Sequence, residues 1–250
     1  MIGAPVVTVV LPARNEAAAI GPLLRDITAA MAQIPHEIVV VDDGSTDGTA
    51  AAVLACRATL PGLRLLRHAA SCGQSAALRS GILAAHGRLI ATLDADGQNP
   101  ASNLPRLVQP LLDQPQGLGL VQGQRRRRHD RWTRKAASRI ANGIRNALLR
   151  DGVRDSGCGM KAFPREVYLA LPFFDHIHRF MPAMVQREGY RVIVVDVDHA
   201  ERQGGRSNYN NLQRALVGIV DLLGAAWLIR RRRRPTVSEA LSEDDPVTSP

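Results

Sequence analysis

The sequence predicts an α/β protein in which a mostly parallel sheet is flanked by helices. Short β-branched runs alternate with helical segments over the first 124 residues, and this alternation is typical of doubly wound sheets. The first two runs, 6–11 and 37–41, are apolar at consecutive positions or nearly so, as expected for strands that are buried on both faces. The predicted strands are 6–11, 37–41, 63–67, 88–93, 119–123 and 192–197.

Helical periodicity and turn residues mark the segments between these strands. Pro12 is expected to end the first strand, and residues 155–161 are too rich in glycine for a regular element. The last 16 residues, 235–250, are rich in Pro, Ser, Thr and acidic side chains and are expected to be disordered. The predicted helices are 16–33, 49–60, 73–86, 104–112, 131–150, 179–189 and 208–229.

Charge and cysteine content narrow the class of protein. The chain of 250 residues has a net charge of +9, with arginine runs at 125–128 and 230–234. Clustered positive charge indicates phosphate-bearing partners, whether nucleic acid, anionic lipid or a phosphorylated substrate. Three widely separated cysteines form no disulfide framework and no paired metal spacing, which favours a reducing compartment.

Membrane and targeting signals are weak. The first residues lack the basic and apolar regions of a signal peptide. The most apolar segment, 215–229, is shorter than the roughly 20 residues that a spanning helix needs and contains Asp221. We therefore expect no helix in this chain to cross a membrane.

Three polar clusters follow predicted strands, at 12–16, 42–45 and 94–98. In open α/β sheets, ligands bind beyond the carboxyl ends of the strands, so these clusters are expected to converge. Asp94 and Asp96 leave an extended segment at positions i and i+2 and can face one target. Carboxylates at that spacing suit a divalent ion that also holds water and phosphate oxygens. The alternative is an acidic turn that caps the helix after Pro100.

Four motifs in this order resemble family 2 glycosyltransferases over about residues 6–209. The most similar subgroup comprises dolichol-phosphate mannose synthases and bacterial polyprenyl-phosphate sugar transferases. The motifs are Leu11-Pro12-Ala13-Arg14-Asn15-Glu16, Val41-Asp42-Asp43-Gly44-Ser45-Thr46-Asp47, Asp94-Ala95-Asp96-Gly97-Gln98 and Asp155-Ser156-Gly157-Cys158-Gly159.

The resemblance implies a glycosyltransferase A-type (GT-A) fold, a bound Mg²⁺ or Mn²⁺, and a nucleotide-sugar donor such as GDP-mannose or a UDP-hexose. Asp43 would hydrogen-bond the base of the nucleotide. The alternative for Glu16 is a first-turn carboxylate that interacts favourably with the helix dipole. The alternative for Asp43 is a turn residue at the end of a strand. Ser71-Cys72-Gly73 departs from the subgroup, where Asn often precedes this glycine. The implied donor residues are Pro12, Ala13, Asn15, Glu16, Asp43, Gly73 and Gln74, and the implied metal ligands are Asp94, Asp96 and Gln98.

The acceptor in this subgroup is a polyprenyl or dolichyl phosphate. Arg125, Arg134 and Ser138 match its acceptor-phosphate contacts by position, and Arg202 and Ser207 match a loop that closes over the donor diphosphate. Arginine is suited to both roles because its planar fork binds phosphate through two hydrogen bonds. A lipid phosphate is already an anion, so it would attack the sugar without a general base, as an inverting transfer of a mannose- or glucose-like hexose. The resemblance thus makes Asp94, Asp96, Arg125 and Arg202 the candidate catalytic residues.

Three other functions would fit part of the same sequence pattern. A family 2 enzyme with another cell-envelope acceptor fits the same motifs. A sugar-nucleotide nucleotidyltransferase shares the sheet and the acidic pair, but it usually has a glycine-rich basic loop where this chain has the acidic segment 12–16. A nucleic-acid-binding module would need aromatic side chains beside the charge, and Trp132 is nearly alone there. We therefore expect no nucleic-acid partner.

The predicted organisation is a catalytic domain at 1–210, with a nucleotide-sugar half to about 124 and an acceptor half from 125. A helix and its basic run follow at 211–234. The helix has an apolar stripe and ends in arginines, which is typical of a helix that lies on a membrane surface. Equally, the stripe could pack on the catalytic domain, on a second copy of the chain or on a membrane-protein partner. We expect a cytoplasmic protein at the inner face of the membrane. The stripe comprises Leu212, Ala215, Leu216, Ile219, Leu223, Ala226 and Trp227.

Overall fold

A seven-stranded sheet forms the centre of the protein in the computed structural model, which describes residues 4–125, 143, 145, 147–198 and 211–233, with side chains of the last helix from 217 onward. Its strands are β1 (Val7–Ala13), β2 (His36–Asp42), β3 (Leu63–Arg67), β4 (Leu89–Thr92), β5 (Leu118–Arg125), β6 (Lys161–Pro164) and β7 (Arg191–Val197). Their order is β3-β2-β1-β4-β6-β5-β7. Neighbouring strands are parallel, except that β6 runs antiparallel to β4 and β5. The predicted mostly parallel sheet is confirmed.

Helices cover both faces of this sheet. Successive residues of β1 point to opposite faces, so Val9 packs with one group of helices and Val10 with the other. The first group contains α1 (Ala17–Ala30) and α4 (Leu104–Asp113), and the second contains α3 (Gln74–Ala84) and α6 (Met181–Arg187). The remaining described helices are α2 (Thr49–Cys56), α5 (Arg165–Leu169) and α7 (Asn211–Arg231).

Three local predictions are wrong. Strand β1 continues through Pro12 to Ala13. Strand β4 pairs with β1 only as far as Val10, so β1 has a free edge at Pro12, and a proline there loses no hydrogen bond to β4. Strand β6 and helix α5 were not predicted, and β6 begins at Lys161, the last residue of the segment expected to be irregular. Helix α2 ends at Cys56, four residues before its predicted end.

Helix α7 carries apolar side chains on two sides. Ala225 and Ala226 are buried against α6 and its surroundings, whereas Ile219, Leu223 and Trp227 are exposed. The predicted single stripe is therefore wrong at Ala226, which belongs to the packed side. No helix among the described residues is long and apolar enough to cross a membrane.

Candidate active site

The first two polar clusters meet at the carboxyl ends of β1 and β2. The backbone N–H of Asn15 donates to Ser45 Oγ at 3.0 Å, and the N–H of Thr46 donates to Asn15 Oδ1 at 2.8 Å. Asn15 has a positive φ of 57°, a conformation that asparagine tolerates better than most residues. These bonds fix the segment after Pro12 against the segment after Asp43.

Asp47 ties together the helices that follow these clusters. Its Oδ2 accepts the N–H of Ala17 at 3.2 Å, and its Oδ1 accepts the N–H of Thr49 at 2.9 Å. The N–H of Glu16 donates to Thr49 Oγ1 at 2.9 Å. Each bond satisfies a first-turn N–H group that has no partner inside its own helix. Glu16 is thereby held half-buried at the start of α1.

Asp43 is buried and anchors the loop before α3. His68 Nδ1 and the N–H of Cys72 donate to its Oδ1 at 2.7 and 2.8 Å, while Ser71 Oγ and the N–H of Gly73 donate to its Oδ2 at 2.7 and 2.9 Å. Burial pushes the pKa of Asp43 upward, but these four bonds outweigh it and lower the pKa. The carboxylate therefore stays charged and fixes the backbone of Gly73 just before α3. Its predicted contact with a base stays a prediction.

Asp94 and Asp96 lie together just beyond β4. Gln74 Nε2 donates to Asp94 Oδ1 at 2.9 Å, Asn99 Nδ2 donates to Asp94 Oδ2 at 3.3 Å, and the N–H of Gln98 donates to Asp96 Oδ1 at 3.1 Å. Burial raises the pKa of Asp94, and the neighbouring charge of Asp96 raises it further. The charge of Asp96 therefore makes Asp94 harder to ionise.

This donor set fits a divalent cation. Two carboxylates and the amide of Gln98 are hard oxygen donors within five residues of chain. Burial and the charge of Asp96 raise the pKa of Asp94, and a cation between the carboxylates would offset both effects. Asp94, Asp96 and Gln98 are thus the residues that would hold Mg²⁺ or Mn²⁺.

Gly159 lies directly against Asp94. A Cβ atom added at Gly159 would stand 2.2 Å from Asp94 Oδ2 and 2.4 Å from both Cγ and Oδ1. The carbonyl of Gly159 accepts a hydrogen bond from Thr92 Oγ1 at 2.6 Å, which pins this point of the loop to β4. Position 159 must therefore be glycine for Asp94 to keep its position.

Lys161 and Gln122 shape the loop that contains Gly159. The Lys161 ammonium is buried and donates to the carbonyls of Cys158 and Ser156, the second at 3.4 Å. Gln122 Nε2 donates to the carbonyls of Cys158 and Asp155 at 3.3 and 3.4 Å. Burial lowers the pKa of Lys161. Sequence reasoning missed these supporting residues, although a lysine directly after a glycine-rich motif was a usable signal.

Arg125 forms a two-point ion pair with Asp155. Its Nε donates to Asp155 Oδ2 at 2.7 Å and its NH2 to Asp155 Oδ1 at 2.8 Å. Both side chains are largely buried, and hydrogen bonding to Asp155 raises the pKa of Arg125. The pair uses two of the five N–H donors of a guanidinium. Residues 155–159 therefore hold Arg125 at one end and contact Asp94 at the other.

An open cleft of about 630 Å³ borders the turn that contains Asp96. It brings residues of the first and third polar clusters to one surface, as predicted from their strand-end positions. Its polar lining residues are Asn15, Glu16, Asp26, Asp47, Asp96 and Asn99.

Four predicted site residues, Arg134, Ser138, Arg202 and Ser207, lie outside the described residues. Among the described ones, the structure brings Gln74, Asp94 and Asp96 into one cluster. Pro12 and Ala13 end β1, and Gly73 directly precedes α3 with a φ of 91°. Asn99 was missed, although its amide five residues after Asp94 was visible in the sequence.

Residues 8–171 match the model of the family described as "Glycosyl transferase family 2". The chain belongs to this family. The predicted family is thus confirmed, and the matched range contains all four motifs.

Curated relatives of this family 2 chain are polyprenyl-phosphate sugar transferases. It is 37% identical over 211 residues to undecaprenyl-phosphate 4-deoxy-4-formamido-L-arabinose transferase of Aeromonas hydrophila, which covers 81% of this chain and 62% of the relative. It is 35% identical over 235 residues to dodecaprenyl-phosphate galacturonate synthase of Rhizobium johnstonii, which covers 91% of this chain and 68% of the relative. The chain thus spans about two thirds of the length of these relatives. The predicted subgroup is confirmed.

Solved structures share the fold. Glucosyl-3-phosphoglycerate synthase from Mycobacterium tuberculosis, in complex with Mn²⁺, UDP and glucosyl-3-phosphoglycerate, aligns with a TM-score of 0.67 at 22% identity and covers 90% of this chain and 80% of its own. Mannosyl-3-phosphoglycerate synthase from Rubrobacter xylanophilus aligns with a TM-score of 0.67 at 24% identity, covering 91% and 74%. The predicted GT-A fold is confirmed.

Proposed function

We propose that this protein transfers a sugar from a nucleotide sugar to a polyprenyl phosphate, with the lipid phosphate as the nucleophile. The observation that carries the proposal is the loop 155–159, which holds Arg125 through Asp155 and contacts Asp94 through Gly159. In the proposed transfer, the carboxylate pair would bind the cation on the donor diphosphate and the guanidinium would bind the acceptor phosphate. The two groups must lie close together and keep the same distance, because the acceptor phosphate has to reach the sugar. The named activities of the curated relatives support this acceptor class.

The donor half of the reaction falls to Asp94, Asp96 and Gln98. A divalent ion bound there would neutralise the donor diphosphate and make it a better leaving group. Asp94 is oriented for this task by Gln74 and Asn99. Because the carboxylates are committed to the cation, neither is available as a base.

The acceptor half of the reaction falls to Arg125. Its guanidinium is held in one orientation by Asp155 and keeps donors for a phosphate. The phosphate brings its own negative charge, so its oxygen attacks the anomeric carbon as the bond to the diphosphate breaks. We include Arg134, Ser138, Arg202 and Ser207 in this proposal as further phosphate contacts, on the resemblance alone.

The sugar predicted from the sequence, a mannose- or glucose-like hexose, stays a prediction. The curated relatives are named for 4-deoxy-4-formamido-L-arabinose and for galacturonate, and these sugars are included in the test. The inversion of the anomeric centre and the identity of the nucleotide in the donor also stay predictions.

The test incubates the full chain with Mn²⁺ or Mg²⁺, a radiolabelled nucleotide sugar and undecaprenyl phosphate. Nucleotide-linked mannose, glucose, galacturonate and 4-deoxy-4-formamido-L-arabinose are tried in turn, and label in the organic phase is counted. We expect transfer from one of them, abolished by a chelator and restored by excess metal. Absence of lipid-linked label with every donor would contradict the proposal.

Two variants locate the metal in this assay. Asp96→Ala should reduce transfer by about 100-fold or more, because the diphosphate then leaves without its counter-charge. Asp26→Ala removes an exposed carboxylate from the same cleft and should leave transfer within about twofold of the parent. Equal losses in both variants would indicate a general charge effect.

A further inference from the structure

Helix α7 is held on the domain along one side. Ala225 and Ala226 are buried, and half-buried Leu222 and Ile229 pack with them against the core around α6. Arg187 Nε donates to the carbonyl of Leu228 at 3.0 Å. Over residues 217–233, whose side chains are described, the helix is therefore packed against the domain.

The opposite side of α7 is apolar and exposed. At about 100° per residue, its five large apolar side chains fall within an arc of about 160°, and their exposed fractions run from 45% to 69%. We call this arc the outer face of α7. It comprises Val217, Ile219, Val220, Leu223 and Trp227.

Positive charge extends the outer face at its carboxyl end. Arg230 and Arg231 are exposed on the next turn, and the guanidinium of Arg231 stands 5.6 Å from the centre of the Trp227 ring. Between 217 and 233, Asp221 is the sole acidic residue, and its Oδ2 accepts a hydrogen bond from His176 Nδ1 at 2.8 Å on the domain side. The outer face thus combines apolar side chains with arginines, and it carries no acidic side chain between residues 217 and 233.

We propose that the outer face of α7 lies on an anionic membrane surface. Its apolar side chains would enter the boundary between headgroups and acyl chains, Trp227 would sit at the headgroup level, and Arg230 and Arg231 would contact lipid phosphates. Charge complementarity selects this occupant, because a second copy of the face brings no carboxylate to pair with these arginines.

The turn at 176–178 connects this helix to Asp94 through a short series of hydrogen bonds. His176 bonds to Asp221 of α7, and two residues later His178 Nδ1 lies 2.7 Å from Ser75 Oγ in the first turn of α3. The residue before Ser75 is Gln74, which donates to Asp94. Binding of α7 to a membrane would therefore set the height of the donor site above the lipid, a consequence that rests on the proposed function.

The test measures cosedimentation of the full chain with vesicles that contain neither polyprenyl phosphate nor nucleotide sugar. We expect binding to vesicles of phosphatidylglycerol and phosphatidylcholine that is weakened by salt. Binding to vesicles of phosphatidylcholine alone should be at least about 30-fold weaker. Because no substrate is present, vesicle binding that persists without transferase activity would count against the proposed function and leave this inference standing.

Three variants separate the contributions of the outer face. V220S/L223S should weaken vesicle binding by about tenfold or more, and R230Q/R231Q should weaken binding to anionic vesicles by roughly 30-fold while leaving phosphatidylcholine unaffected. Leu54→Ser changes an equally exposed leucine on α2 and should bind as the parent does. Thermal unfolding of each variant checks that the fold is retained.

Two results would overturn the proposal. The first is vesicle binding that does not respond to V220S/L223S or to R230Q/R231Q in folded protein. The second is a concentration-dependent dimer by analytical ultracentrifugation that V220S/L223S dissolves, with no vesicle binding by the parent, which would assign the outer face to a second copy.

Discussion

At the scale of single residues, the site depends on close contacts between side chains and backbone. Asp94 fits where it does because residue 159 has no side chain, and Arg125 is oriented because Asp155 accepts two of its N–H groups. The buried ammonium of Lys161 closes the loop between these two points through the carbonyls of Ser156 and Cys158. A change at any of these positions acts on the reaction through the placement of another group.

Gly159→Ala is expected to reduce sugar transfer by about 100-fold, since its Cβ would displace the Asp94 carboxylate and a shift near 1 Å is enough for such a loss. The measurement is kcat at saturating metal and donor. Gly157→Ala is the matched control, because a Cβ at Gly157 has no atom within 4 Å. Similar activities of the two variants would show that Asp94 tolerates displacement.

Arg125→Ala is expected to raise KM for polyprenyl phosphate by about tenfold or more, because a charge-assisted phosphate contact is lost. KM for the nucleotide sugar should change little. Arg64→Ala removes another arginine from an ion pair, with Glu37 at 3.0 Å, and should leave both KM values near the parent's. An increase in donor KM alone would move Arg125 to the donor side.

At the scale of elements, the site depends on how closely α3 packs on the sheet, since α3 carries Gln74 and Ser75. Gly81 allows this approach: a Cβ there would stand 2.4 Å from Val10 Cγ1 and 3.1 Å from Val41 Cγ2. The small residue in a helix therefore serves packing, which outweighs the poor helix propensity of glycine.

Gly81→Ala is expected to destabilise the protein by about 1–3 kcal/mol through overpacking. Gly224→Ala in α7 provides the opposite case, because a Cβ there meets nothing within 4 Å, and it should be neutral or stabilise by up to about 1 kcal/mol. Urea unfolding followed by circular dichroism gives both free energies. Equal effects of the two substitutions would refute close packing of α3.

At the scale of the whole molecule, Glu37 connects three neighbouring strands of the sheet, β1, β2 and β3. It is buried in β2, accepts a hydrogen bond from Thr8 Oγ1 of β1 at 2.7 Å and from the N–H of His86 at 2.6 Å, and pairs with Arg64 of β3. Burial pushes the pKa of Glu37 upward, but these partners outweigh it and lower the pKa. The charged form is therefore the stabilising one.

Because the folded pKa of Glu37 lies below its unfolded value of about 4.3, its contribution is fully present above that pH and is lost as the pH falls through the folded pKa. Glu37→Gln should unfold more easily than the parent at pH 7, and the difference should narrow toward pH 3. Urea unfolding at pH 7, 5, 4 and 3 measures this. Asp26→Asn controls for net charge, and a difference that widens on acidification would reverse the assigned sign.

Much of this molecule was predictable from local pattern. The buried strands β1 and β2 are apolar runs followed by turn residues. The carboxylates of Asp43, Asp94 and Asp96 follow strands whose ends meet at one edge of the sheet. Periodicity and turn chemistry act over a few residues, so they are legible in a single sequence. The resemblance to the family added the proposed acceptor class, which no local pattern contains.

The sequence by itself determined the sheet, its polar edge and the carboxylate pair at 94 and 96. Tertiary structure alone decided that β6 inserts antiparallel between β4 and β5, that Gly159 lies under Asp94, and that α7 divides its apolar side chains between the core and the outer face. These features depend on contacts between residues far apart in the chain. Their free energies come from packing and burial after the strands have assembled, and helical or strand periodicity carries no record of them.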